Sequence, residues 1–188
     1  GHYIQVLGFL CPFMYIAGTL SSIIKKDKNR DEVGKAFRRF VLASLAYFFT
    51  DAMWGILDNL KLTTLLYVDT IFYYISMGLT IAFLCHYVTS YLHLRKGFGK
   101  FIRIFGQVFA AAEIVLLIIN HFVHIFFWIY PDGTYQAFIY RYIALYMQVF
   151  LCLLLAIQTG IVMVRAADEM KKRYFTIFFF CSAMGAAI

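Results

Sequence analysis

Long apolar runs alternate with short charged or turn-forming segments along this chain. Six runs stand out, over residues 3–24, 40–57, 65–92, 104–130, 138–164 and 174–188. Crossing about 30 Å of hydrocarbon takes about 20 apolar residues in a helix, and the first five runs come close to or exceed that length. The pattern predicts an all-α, polytopic transmembrane helical bundle with six visible spans, the sixth incomplete. Pro12 is expected to kink the first span. The sixth run stops at Ile188 before it could cross, so a longer natural chain is expected. Residues 120–142 read NHFVHIFFWIYPDGTYQAFIYRY. They join the fourth and fifth runs through the turn residues Pro131, Asp132 and Gly133, and so form the tip of a hairpin at a membrane surface.

Composition agrees with this reading. Hydrophobic residues make up 63% and charged residues 14% of the chain, against about a quarter charged in soluble domains. No Pro/Gly/Ser-rich linker divides the chain, so residues 1–188 read as one transmembrane domain. Basic residues follow the first run rather than precede it, which marks it as a span and not a cleavable signal. Cys11, Cys85, Cys152 and Cys181 all fall inside apolar runs and read as buried free thiols.

The basic charge behind the net +7 is concentrated in three loops. Of the 17 Lys and Arg residues, seven follow the first run, four follow the third and four follow the fifth; the other two are Lys61 and Arg141. The positive-inside rule then predicts an N-terminus outside, three basic loops in the cytoplasm and the 131–133 tip outside. The basic excess belongs to orientation and lipid headgroups, which excludes a nucleic-acid partner.

Polar residues inside the runs fall on single helical faces. Glu113, Asn120 and His124 share a stripe; so do Asp51, Trp54 and Asp58, then Asp69, Ser76, Thr80 and Tyr87, and finally Arg141, Gln148, Cys152 and Thr159. Polar groups at bilayer depth need partners or a function, so these stripes should face the bundle interior. Asp51 lies 13 residues beyond Arg38, roughly 20 Å higher at 1.5 Å per residue. Most of these groups therefore fall in the outer half, with Glu113 nearer the midplane. Two readings stand open. In one, Asp51, Trp54, Asp58, Asp69, Glu113, Asn120, His124, Arg141 and Gln148 line an outward-facing pocket for a small molecule. In the other they are structural contacts, such as Arg141 paired with Asp69 or Asp58. His121 and His124 could share a metal, but the spans offer only Asp51, Asp58 and His86 to complete a site. The chain carries no P-loop, dinucleotide fingerprint, nucleophile elbow or H-E-x-x-H motif, and no cofactor is implied.

Four short stretches carry a resemblance. They are Asp51, Ala52, Met53, Trp54 and Gly55; the tip from Tyr130 to Tyr135; Arg141, Tyr142 and Ile143; and Lys172, Arg173 and Tyr174. Together they resemble the seven-helix N-terminal membrane module of many bacterial signalling proteins, commonly placed before a GGDEF diguanylate cyclase domain. The resemblance implies a sensory input domain in the bacterial cytoplasmic membrane. It would bind an unknown small molecule from outside and regulate a cytoplasmic output domain, as a homodimer through its helices or that domain. No GG[DE]EF signature, seventh span or linker helix occurs in these residues, so the stretch itself should be catalytically inert. The alternatives are a small membrane transporter, which should show internal repeats and broken helices, and a membrane metal-dependent hydrolase using His121 and His124.

Overall fold

The structure, a computed structural model, describes residues 30–94, 96–166 and 168–187. The first apolar run, with Pro12 and Cys11, lies outside the described residues. Five helices dominate: α1 (Arg30–Asn59), α2 (Thr63–Tyr91), α3 (Phe98–Val123), α4 (Ile139–Arg165) and α5 (Asp168–Ala187). Between α3 and α4 sits a two-stranded hairpin, β1 (Phe127–Ile129) and β2 (Tyr135–Ala137). Four helices, α1 to α4, are long and apolar enough to cross a membrane. Leu42, Phe49, Val108, Phe122, Tyr146, Phe150 and Val164 are each at least half exposed on their outer faces. Apolar side chains exposed along whole helices suit lipid, where a water-soluble surface would be polar.

Helix α2 is the axis of the bundle. It packs along α1 on one side and α3 on the other, and it also reaches α4 and β1; α5 packs along α4. The predicted polar stripes turn inward in part: Ser76, Thr80 and Tyr87 of α2, Glu113 and Asn120 of α3, and Gln148, Cys152 and Thr159 of α4 are buried, whereas Asp51, Trp54, Asp58, Asp69, His124 and Arg141 are only partly buried. Two cores result. One joins Phe40, Leu84, Cys85, Tyr87, Ile102, Leu151, Cys152, Leu155, Ile177 and Cys181 towards the end that carries the basic loops. The other joins Leu57, Leu66, Tyr74, Met77, Leu117, Phe126, Phe127, Ile129 and Ala144 beneath the hairpin. Cys85, Cys152 and Cys181 are buried free thiols.

The fourth run is not helical to residue 130. Helix α3 ends at Val123, and His124 caps it in the left-handed conformation (φ 52°), its N–H donating to the Asn120 carbonyl at 3.1 Å. The chain then turns back as an antiparallel hairpin with Phe127 opposite Ala137, Trp128 opposite Gln136 and Ile129 opposite Tyr135. The apolar residues 125–130 suit either structure by hydropathy, and their aromatic and β-branched character suits a strand. Two observations favour the strand. Pro131 sets up the turn, closed by the Gly133 N–H to the Tyr130 carbonyl at 2.9 Å, and Gly133 supplies the positive φ of 83° that follows it. The Asp132 carboxylate also accepts the Thr134 N–H at 2.9 Å.

Candidate functional site at the hairpin end

Asn120 holds the hairpin in place. It is fully buried on the last turn of α3. Its Oδ1 accepts the Phe126 N–H at 2.7 Å and the Phe127 N–H at 3.1 Å, and its Nδ2 donates to the Phe127 carbonyl at 3.0 Å. The amide therefore replaces a missing strand partner for backbone groups buried away from water. Both acceptor lone pairs of Oδ1 are used, so Asn120 is occupied by the fold.

Tyrosines tie the hairpin to the helices. The Tyr74 and Tyr135 hydroxyls share a hydrogen bond of 2.7 Å between α2 and β2. Trp54 of α1 meets the Tyr135 ring edge-on at 5.8 Å, and Phe127 stacks on the Tyr135 ring at 6.0 Å. Burial pushes the Tyr135 phenol above its ordinary range, while the Tyr74 hydroxyl and the Arg141 charge pull it back. Arg141 of α4 lies over the rings of Tyr135 and Tyr142, 5.6 Å from each centroid. Among the described residues it meets ring faces rather than Asp58 or Asp69, so the Arg–Asp tie offered by the structural reading does not form.

The acids occupy separate places. Asp58, on the last turn of α1, pairs at 3.3 Å with Lys61 of the exposed α1–α2 loop, and the Lys61 stem crosses over Gly133 of the turn. Half-buried Asp51 is within electrostatic reach of Asp69, Tyr47 and Tyr73. One Asp69 carboxylate oxygen is buried without a hydrogen bond. Deeper in the bundle, Gln148 Nε2 donates to Glu113 Oε1 across a long 3.5 Å. His124, having left the helix, lies against Trp128 with ring centroids 3.6 Å apart and the rings tilted by 36°, which separates it from the Glu113 and Asn120 stripe. Among the described residues no three His, Cys, Asp or Glu side chains converge on a point that could hold a metal.

A cleft of about 400 Å³ opens at this end between α2, α3 and the hairpin, lined by Thr63, Tyr67, His121, Trp128, Tyr130 and Pro131, among others. None of the nine polar residues singled out from the sequence lines it. Tyr67 packs against Phe127 and Trp128, and its hydroxyl stands 3.5 Å from His121 Nδ1. The signal for these residues is present in the sequence. Thr63 and Tyr67 are four apart at the start of a helix, and Trp128 and Tyr130 alternate as on a strand; the second pattern becomes legible only once residues 127–129 are a strand. The chain matches no known protein family, no characterised protein and no solved structure.

Proposed function

We propose that this chain is a membrane-integral sensory input domain, similar in design to the modules that precede GGDEF diguanylate cyclase domains. In this reading the first five runs cross the bacterial cytoplasmic membrane and the sixth enters it, the N-terminus and the hairpin face outside, and the three basic loops face the cytoplasm. The observation that carries the proposal is the cleft beside the hairpin. Its volume of about 400 Å³ falls within the roughly 300–1,000 Å³ of small-molecule sites. Its walls combine aromatic faces with the imidazole of His121 and the hydroxyls of Thr63 and Tyr67. That lining suits a compact, partly apolar molecule with one or two hydrogen-bonding groups.

Coupling follows from what the walls are attached to. A molecule in the cleft touches α2, α3 and β1. On the inner face of the same hairpin Tyr135 meets Trp54 of α1, Tyr74 of α2 and Arg141 of α4. A ligand that prefers one seating of the hairpin therefore biases how four helices pack, and only that differential affinity moves a signal across the membrane.

Trp54 and Trp128 are the only tryptophans. Trp54→Phe leaves Trp128 as the sole fluorescent reporter in the cleft. Titrating that variant in lipid nanodiscs with a metabolite library should yield a compound that changes its emission saturably. His121→Ala should weaken that compound at least about tenfold, the equivalent of one good hydrogen bond. A library that leaves Trp128 unmoved, or a response unchanged by both His121→Ala and Tyr67→Ala, argues against the cleft. Substrate flux in reconstituted vesicles would favour a transporter instead.

A further inference from the structure

Glu113 is the one acidic residue of α3, and it is 2% exposed. Three helices surround its carboxyl. From α4, Gln148 offers one long amide contact, and the amide's own oxygen has no hydrogen-bond partner. From α2, Gly78 presses against Oε2 so closely that a Cβ there would collide with it, and Oε2 itself has no hydrogen-bond partner. The titratable group facing Glu113 is Tyr74, also from α2. Among the described residues no Lys, Arg or His comes within ion-pair distance of it. A carboxylate in such a place has lost its water and gained neither a cation nor a set of N–H donors. Its desolvation cost far exceeds what one stretched amide contact returns.

We infer that Glu113 is a proton-binding site within the bundle, held as the neutral carboxylic acid in this packing, and that releasing its proton requires α2 and α3 to part at Gly78. The step is an acid dissociation: the proton passes to water, and the carboxylate left behind keeps the electron pair of the O–H bond. Water must therefore reach Oε2, and the contact with Gly78 blocks it on the α2 side. Because Gly78 has no side chain, α3 seats directly on the α2 backbone, and a small separation opens the space that a hydrated carboxylate needs. The proton thereby becomes a ligand of the packed state. This site lies deeper than the cleft beside the hairpin and shares no residue with it, so the inference stands or falls independently of ligand binding there.

Infrared spectroscopy reads the proton directly. The chain has three glutamates, Glu32, Glu113 and Glu169, so labelling glutamate with ¹³C at the side-chain carboxyl isolates them from every aspartate. In lipid vesicles at neutral pH the expected spectrum holds a labelled carboxylic-acid carbonyl band that Glu113→Gln abolishes and that fades as pH is raised. If Glu113→Gln fails to fold, Glu32→Gln with Glu169→Gln leaves Glu113 as the sole labelled carboxyl. A labelled signal that is wholly carboxylate at neutral pH overturns the inference. Thermal unfolding gives the second readout. A proton bound when folded and released when unfolded gives stability that is full at low pH and is lost as pH rises through the folded-state transition. The melting temperature of the wild type should then fall relative to Glu113→Gln by roughly 3 °C per pH unit across that range. Parallel curves for the two proteins overturn it as well.

Discussion

The two ends of this bundle are held together by different means. At the basic end the core is apolar: Phe40, Leu84, Ile102, Leu151, Leu155 and Ile177 interlock around three cysteines. Several of its buried hydroxyls turn back on their own helices, Ser44 to the Phe40 carbonyl, Thr89 to Cys85 and Thr159 to Leu155, while the Tyr87 hydroxyl is buried without a hydrogen bond. Such bonds satisfy a polar group without joining two elements. At the hairpin end hydroxyls such as that of Thr70 also turn back, but further polar contacts run between elements: Asn120 to the backbone of β1, Tyr74 to Tyr135 and Arg141 to the Tyr135 ring, with Gln148 to Glu113 deeper in the bundle. The basic end depends on shape, and small changes in volume there should be absorbed by neighbouring side chains. The hairpin end depends on a few directional contacts, so single substitutions there should act discretely.

The strongest way to break this contrast is Asn120→Ala. The substitution strands two buried N–H groups and weakens a third backbone contact, at roughly 1–3 kcal/mol for each unsatisfied group. A total near 3 kcal/mol corresponds to a loss of roughly 6–12 °C in melting temperature for a chain of this size. Asn120→Asp keeps the acceptor for both N–H groups but turns an oxygen towards the Phe127 carbonyl, so it should rescue only part of the loss. Thermal unfolding in nanodiscs measures both variants. If Asn120→Ala costs no more than a conservative Leu155→Val change at the basic end, the hairpin is held by its apolar face alone and the contrast fails.

Much of this architecture is legible in the sequence. The apolar runs locate α2 and α4 to within a residue or two, because hydropathy and helix ends coincide there. They start α1, α3 and α5 too late. Arg30–Arg39 and Phe98–Arg103 are helical although charged, since Lys, Arg and Glu favour helices and a hydropathy profile sees only the apolar part. A 100° spacing identified Glu113, Asn120, Gln148 and Thr159 as inward-facing, and all four are buried. Their partners were not legible, because a helical wheel gives a direction and not the neighbour met there. Asn120 shows the limit. Its helical phase is read correctly, yet its partners lie on a strand inside a run whose hydropathy fits a helix equally well. The cleft was hidden for the same reason, since Trp128 and Tyr130 reach it only through strand geometry.

Gly78→Ala sharpens the comparison at the level of Glu113. The new methyl group meets the Glu113 carboxyl and comes within 3.7 Å of the Ala110 backbone. Overpacking of this kind costs about 1–3 kcal/mol. Glu113→Ala removes the obstacle, so the double variant should recover most of what Gly78→Ala loses, and a double-mutant cycle should give a coupling of about 1–2 kcal/mol. Additive losses would mean that α2 and α3 are set apart by other contacts and that the Gly78 seat does not govern their approach.

The smallest expected effect lies at the hairpin tip, where the contrast reaches solvent. Asp132 is exposed, and the N–H of Thr134 holds its carboxyl below the ordinary value of 3.8, with Lys61 adding a weaker pull in the same direction. A carboxylate whose acidity increases on folding stabilises the turn above its unfolded value, and that contribution is lost as pH falls through the lower folded value. The loss should therefore appear only in acid and should be confined to the turn. The Thr134 amide resonance should follow it with a midpoint below 3.8, while the amides of Phe126 and Phe127 stay fixed because Asn120 carries no titrating group. Asp132→Asn keeps an acceptor oxygen and should leave the turn formed but insensitive to acid. If instead the Phe126 and Phe127 amides move with Thr134, the tip and the Asn120 seat respond as one body. Acid at the surface would then reach the buried end of the hairpin, and the hairpin end would behave as a single cooperative unit rather than as separate directional ties.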